Sequence, residues 1–448
     1  MSRHRTFRED EVCMWLEEED TPVREQNDSV LPAMRAAAVE NSKPSALTWS
    51  KRLALIGPAF VAGAWQFGPG NLTSAVEAGS AYGYSLIWVI VLSTILMIAF
   101  TDMSVRIGII ARGSIIQTIK DTLGKPVGVL AGISVFFITL CFSVGNAAGS
   151  GLALSMLFGG SSILWTLVCS FAVGFILLMR NVYSVVERIL LALVAMMAIG
   201  FVCSAILARP DWVASATGVL PSFPPGAQLL IIALVGTNFS INAAFFTSYA
   251  TRAKGTRADQ YRDSTVTDTL PGIIAPGIMT CLVIMVAAAV LGHTGERVQT
   301  LMQLANVFQP LAGSVGSTLF VLGFFAAAFS SMLANSTAGG TLLSDGVGWG
   351  GSFDALRTKI LVGCVLAFGA LVVVLAPGSR VQLIIFAQAM TVLVAPFLAG
   401  LLMIISNRRE MGTLRNKPFQ NVLGVCGFLS ILAASGLLIY KLSGMLGS

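Results

Sequence analysis

Gly57-Pro58-Ala59-Phe60 … Phe67-Gly68-Pro69-Gly70-Asn71 decides how this chain folds. It lies inside an apolar segment running from about residue 52 to 81, long enough to cross a bilayer as a helix. A single spanning helix has no use for Gly-Pro-Gly at its centre. Proline removes a backbone donor and glycine loosens the backbone, so the helix is predicted to break at Gly68-Pro69-Gly70. Irregular backbone inside a bilayer survives only where protein buries it or where it lines a cavity. Interrupted helices of this kind form the binding sites of many secondary transporters.

The composition agrees with a membrane setting. The 448 residues are 55% hydrophobic and 11% charged, with a mean hydropathy of +0.81. Soluble domains carry about 25% charged residues. The chain therefore reads as an all-α, multi-pass membrane protein. Its net charge of +6 needs no acidic partner, and no separate basic domain suggests nucleic-acid binding. Six of the seven cysteines (Cys141, Cys169, Cys203, Cys281, Cys364 and Cys426) fall in apolar stretches without ligand spacing. They read as small buried hydrophobes. The two histidines, His4 and His293, lie outside the apolar segments, which leaves no imidazole for a metal site or proton relay in the membrane.

Residues 1–45 are polar and read as a disordered cytoplasmic tail, with no cleavable signal peptide. Eleven apolar stretches follow, near 52–81, 84–105, 127–157, 161–180, 183–208, 227–253, 270–292, 311–337, 359–376, 380–406 and 419–442. Placing the tail inside and alternating sides puts 24 of the 28 Lys and Arg residues on the inner side. Only Arg209, Arg297, Arg380 and Lys441 remain outside. That asymmetry predicts a multi-pass protein of the cell membrane with a cytoplasmic N-terminus.

The sixth stretch is interrupted too. Gly236-Thr237-Asn238-Phe239-Ser240-Ile241-Asn242 is a polar insertion in an apolar span, and groups at that depth face a cavity or another helix. Hydrogen bonding between helices would also explain it. Interruptions five helices apart form the pattern of two inverted five-helix repeats around a midplane site. The repeats are expected over 46–208 and 209–406, with a basic loop and an eleventh helix over 407–448.

These residues resemble the NRAMP family of divalent-metal transporters. The family pattern Gly-Pro-Gly-Phe … Asp-Pro-Gly-Asn appears here as Gly57-Pro58-Ala59-Phe60 … Gly68-Pro69-Gly70-Asn71, followed by Ala78-Gly79-Ser80-Ala81-Tyr82-Gly83-Tyr84. Further similarity lies in Phe325 … Ser330-Ser331 … Ala338-Gly339 and in Ser406-Asn407-Arg408-Arg409-Glu410-Met411-Gly412 … Arg415-Asn416. The resemblance implies a LeuT-type fold, alternating access and a divalent cation as cargo. It also exposes departures. The family's metal-binding aspartate is Gly68, its Met-Pro-His is Ser240-Ile241-Asn242, and its acidic pair in helix 3 is Ser143 and Asn146.

The expected site is therefore neutral: Gly68, Asn71, Thr237, Asn238, Ser240, Asn242 and Gln388, with no metal-ligating carboxylate, thioether or imidazole. Transition metals favour soft sulfur or imidazole, and Mg²⁺ favours carboxylates plus retained water. A small polar or zwitterionic organic solute is thus the alternative cargo. A non-transporting sensor stands behind both, since no soluble output domain follows helix 11. No cofactor and no enzymatic activity is expected, because no nucleophile–base pairing is visible. Glu77 is the carboxylate near the helix 1 break and the candidate vestibule or coupling group. Asp102 and Arg106 are spaced for an i,i+4 ion pair, and Asp345 reads as a solvated loop residue.

Overall fold

The computed structural model describes residues 59, 63, 65–292, 300–305, 309–352, 354–376 and 378–446. The tail expected over 1–45, together with Cys13, His4 and His293, lies outside them. Among the described residues, helices joined by turns and short loops make up the fold, with no strand. The principal helices are α1 (Pro69–Tyr82), α2 (Ile87–Ile110), α3 (Ile115–Leu123), α4 (Lys125–Phe158), α5 (Ser162–Leu178), α6 (Arg180–Ala208) and α7 (Gln228–Asn238). They continue with α8 (Ile241–Lys254), α9 (Leu270–Leu291), α10 (Gln309–Gly346), α11 (Leu356–Leu375), α12 (Arg380–Met390), α13 (Ala395–Ser406) and α14 (Pro418–Leu446).

Among the described residues, seven helical runs are long and apolar enough to cross a membrane, counting α7 with α8 as one. The α12–α13 pair, bent by 42°, makes an eighth. Shorter apolar helices at Ser162–Leu178 and Val194–Ala208 match the fourth and fifth stretches of the sequence. The first stretch is only partly described.

Both expected breaks are present. Trp65 and Gln66 are helical, Phe67 and Gly68 are not, and α1 restarts at Pro69. Proline suits that first position because its missing N–H has no helical partner there anyway. Phe239 and Ser240 separate α7 from α8 with non-helical ψ angles of 61° and 76°. A third interruption was not foreseen. The tenth stretch, read as one span over 380–406, bends through a 3₁₀ turn at Thr391–Leu393. Pro396, near the start of α13, cannot donate the backbone bond that a continuous helix would need.

The breaks lie between two apolar cores. One holds Leu72, Val76, Ile232, Leu234, Val283 and Phe324. The other holds Phe100, Ile138, Phe245, Leu342, Leu398 and Leu402. Glycines let helices approach closely around this boundary. A Cβ on Gly132 of α4 would sit 3.0 Å from the Cα of Gly346 on α10, and one on Gly79 of α1 would run into the backbone of α9 at Ile284.

Basic residues gather at one end of the bundle. Arg252, at the end of α8, donates to the carbonyls of Ala111 (2.6 Å) and Gly113 (3.0 Å) after α2. Asp102 and Arg106 form the expected ion pair at 3.0 Å, with both side chains buried. Arg106 also donates to Leu414 O (2.8 Å) and Asn416 Oδ1 (2.7 Å), while Asp102 accepts from Tyr261 (2.6 Å) and Gln420 (3.2 Å). Asp345 corrects the sequence reading. It is 8% exposed rather than solvated, because α10 runs on to Gly346, well beyond its expected end at 337. Its carboxylate accepts from the hydroxyls of Ser114 and Tyr249, and its carbonyl accepts from Lys120. The small residues Ala338-Gly339-Gly340 look like a loop in sequence. In the fold, Gly339 faces Thr139 of α4 and Gly340 faces Val362 of α11.

Candidate binding site at the helix breaks

A direct side-chain contact joins the two breaks. Asn71, in the first turn of α1, reaches Thr237 at the end of α7 at 3.5 Å, and its Oδ1 accepts from Thr280 of α9 at 2.7 Å. Gly68 caps α1 without a side chain, so the first amides of that helix end at bare backbone. Upstream of the break, the carbonyl of Trp65 accepts from Ser331 of α10 at 3.1 Å. Ser240 donates to Thr237 O at 2.7 Å, satisfying one of the carbonyls that α7 leaves open at its end.

Gln388 of α12 is 1% exposed and wedged against two glycines. A Cβ on Gly70 would collide with its amide, and one on Gly145 of α4 would sit 2.7 Å from its Nε2. Neither Nε2 nor Oε1 of Gln388 has a hydrogen-bond partner among the described residues. The same holds for Nδ2 of Asn146, Oδ1 of Asn242 and Nε2 of Gln66, all on buried side chains. Unmet polar groups at such depth are disfavoured, and those beside the breaks leave hydrogen-bonding capacity for something polar. A crevice too tight to admit a water molecule lies alongside, lined among others by Gly236, Ser240, Asn242, Thr391, Ile138, Phe239 and Val392.

Not every expected residue turns to this place. Gly68, Asn71, Thr237, Ser240, Asn242 and Gln388 lie at or beside the breaks. Asn238 instead faces α2, donating to Ser93 (2.7 Å), Thr94 (2.9 Å) and Ile90 O (3.3 Å). Glu77 is 5% exposed, inside the packed bundle about two turns past the break. Ser143 donates to Val365 O at 2.8 Å and so ties α4 to α11, whereas Asn146 keeps an open donor.

Sequence reading singled out Ser331 only for its family resemblance, and did not assign it, Asn335, Thr280, Gln66 or Thr391 to the site. Asn335 of α10 accepts from Asn242 at 3.0 Å and donates to Ser331 O at 3.0 Å. The available signal was Ser331 and Asn335 spaced i,i+4 in one apolar span, which places them on one helix face.

The donor set is amides, hydroxyls and backbone carbonyls. Among the described residues, no group of three or more His, Cys, Asp or Glu side chains could hold a metal ion.

The chain is similar to known proteins over most of its length. The family described as natural resistance-associated macrophage protein-like (Nramp) matches residues 59–441. The divalent metal cation transporter MntH of Yersinia pestis is 25% identical over 402 residues, covering 88% of this chain and 96% of that protein. MntH of Deinococcus radiodurans is 26% identical, covering 88% and 91%. Among solved structures, a mutant of the Eremococcus coleocola manganese transporter superposes with a TM-score of 0.73 at 19% identity, covering 90% of this chain and 88% of that one. MhsT in complex with L-phenylalanine superposes with a TM-score of 0.54 at 16% identity, covering 84% and 98%. Both share the LeuT-type architecture of two inverted five-helix repeats, here followed by an eleventh helix.

Proposed function

The chain belongs to the Nramp family, and from that premise we propose that it carries a divalent metal cation across the cell membrane by alternating access. The observation that carries this reading is the meeting of two broken helices at Asn71 and Thr237, beside unpartnered amides. Neutral oxygens from Asn242, Gln388 and the carbonyls at the breaks take the place of the usual charged ligands. Removing all water from a divalent ion without a counter-charge costs several kcal/mol or more. The cargo is therefore held with part of its hydration shell, as hard cations such as Mg²⁺ readily are. Affinity is correspondingly modest. The excess of Lys and Arg on one side puts the N-terminus in the cytoplasm.

Ser143 and Asn146 cannot exchange protons at neutral pH, so any proton coupling uses another group. Glu77 is the carboxylate nearest the α1 break along the chain and is assigned that role. A second reading rests on the open donors of Asn146 and Gln388, which suit the acceptor groups of a small polar organic solute.

Purified protein in liposomes, offered a panel that includes Mn²⁺ and Mg²⁺, is expected to take up at least one divalent ion saturably. Glu77→Gln should lower that uptake at normal expression. Silence across the whole panel would discard the metal reading and leave the organic solute. Unchanged uptake in Glu77→Gln would make that residue structural.

A further inference from the structure

We propose that Asn335 is a positioning residue that turns the Asn242 amide so that its oxygen, not its nitrogen, is left for cargo. The inference rests on the reading of the helix breaks as the cargo site, and it narrows the cargo to a cation or another hydrogen-bond donor.

Asn335 Nδ2 donates to the carbonyl of Ser331 at 3.0 Å. A backbone carbonyl can only accept, so the nitrogen end of Asn335 is committed there. Its oxygen end consequently faces Asn242, and accepts from Asn242 Nδ2 at 3.0 Å. An amide has one donor end and one acceptor end. With its nitrogen engaged, Asn242 can offer only Oδ1, which has no partner among the described residues although the side chain is 1% exposed. Asn335 itself is 4% exposed, so water does not compete freely for the relay.

Gln388 makes the contrast. Neither end of its amide is engaged, so it can face a ligand with either. The site thus combines one fixed acceptor with one adaptable amide. The fixed acceptor repels an anion or a carboxylate group and attracts a cation or an N–H donor. The order Ser331 to Asn335 to Asn242 runs from α10, which packs against α4, to the first turn of α8 beside the break. The packed helix thereby sets the polarity presented by the interrupted one.

The test compares wild type, Asn335→Asp and Asn335→Leu in liposomes with Mn²⁺ as the probe. Aspartate gives up the bond to Ser331 O but still presents only oxygen to Asn242, so KM should equal or fall below the wild-type value. Leucine removes it and lets the amide turn, so KM should rise about tenfold with Vmax within about twofold, the scale of one lost polar contact. In an Asn242→Asp background, which offers oxygen in either orientation, Asn335→Leu should leave KM unchanged. Equal KM increases in Asn335→Asp and Asn335→Leu, or a persistent Asn335→Leu effect in the Asn242→Asp background, would overturn the assignment.

Orientation is also read without transport. In side-chain amide spectra of ¹⁵N-asparagine-labelled protein, the pair missing from Asn242→Asp should resist solvent exchange in wild type and Asn335→Asp, and exchange in Asn335→Leu. Fast exchange of that pair in wild type would refute the fixed amide whatever the protein carries. Absence of Mn²⁺ flux in wild type together with a protected amide would sink the metal reading alone.

Discussion

The middle of the bundle and its basic end solve opposite problems. At the middle, the groups facing the breaks are neutral, and several amide atoms have no partner: both ends of Gln388, Oδ1 of Asn242 and Nδ2 of Asn146. At the basic end, buried charges are tied into networks. Asp102 holds Arg106, Tyr261 and Gln420, and Asp345 holds Ser114 and Tyr249. Burial alone does not explain the difference, since Arg106 and Gln388 are each 1% exposed. Charge is placed where helices must be fixed to loops. The uncommitted amides beside the breaks are the ones proposed to grip a solute and let it go.

The largest effect should come from the basic end. Arg106→Ala leaves Asp102 buried without its cation. Removing one member of a buried pair costs about 3–5 kcal/mol, because the remaining charge is stranded. Unfolding measured in detergent should show a loss of that order, with folded yield falling in step. Asp102→Asn should cost less, because Arg106 keeps Leu414 O and Asn416 Oδ1 as acceptors and the new amide can still accept from Tyr261. A folded, stable Arg106→Ala protein that no longer transports would break the comparison, since it would put charge on the cargo path.

A middling effect is expected at Gly68. Its φ of −85° and ψ of −177° are open to any residue, so aspartate meets no backbone strain there. A Cβ would sit 2.9 Å from Ser331 Oγ and 3.3 Å from Trp65 O, so the hydroxyl must turn aside at the cost of its bond to Trp65 O. Gly68→Asp should therefore raise Mn²⁺ affinity at least about tenfold, the effect of adding a carboxylate to a neutral, buried site. Isothermal titration of the wild type and the variant would measure it. Equal affinities would mean that the bare N-terminus of α1 does not face the ion.

Much of this was legible in the sequence because its cause is local. Gly68-Pro69-Gly70 must interrupt a helix wherever it occurs, and an apolar length is countable. The i,i+4 spacing of Asp102 and Arg106 likewise foretold their pair. What was not legible depends on partners distant in the chain. Asp345 looked solvated because Ala338-Gly339-Gly340 looks like a loop until α4 and α11 are packed against it. Asn335 looked like one more polar residue until Asn242, 93 positions away, was brought beside it. The bend before Pro396 was overlooked because one proline near a helix middle is weaker punctuation than Gly-Pro-Gly.

The smallest effect, and the sharpest for the comparison, belongs to Asn238. It lies in the interrupted sixth span beside Thr237, and by sequence it is as good a site residue as Asn242. In the fold its amide is spent on α2, at Ser93, Thr94 and Ile90 O. Ser93 keeps its own bonds to Val89 O (2.6 Å) and Ile90 O (3.2 Å), so Asn238→Ala strands little. The expected cost is about 1 kcal/mol of stability, the net worth of a typical hydrogen bond. KM for the transported ion should stay within about twofold, whereas Asn242→Ala should raise it well beyond that. The pair is read by unfolding midpoint and KM together. A tenfold rise in KM for Asn238→Ala at an unchanged midpoint would show that its amide leaves α2 during transport. The boundary between stitched and uncommitted polarity would then have to be drawn on a moving structure.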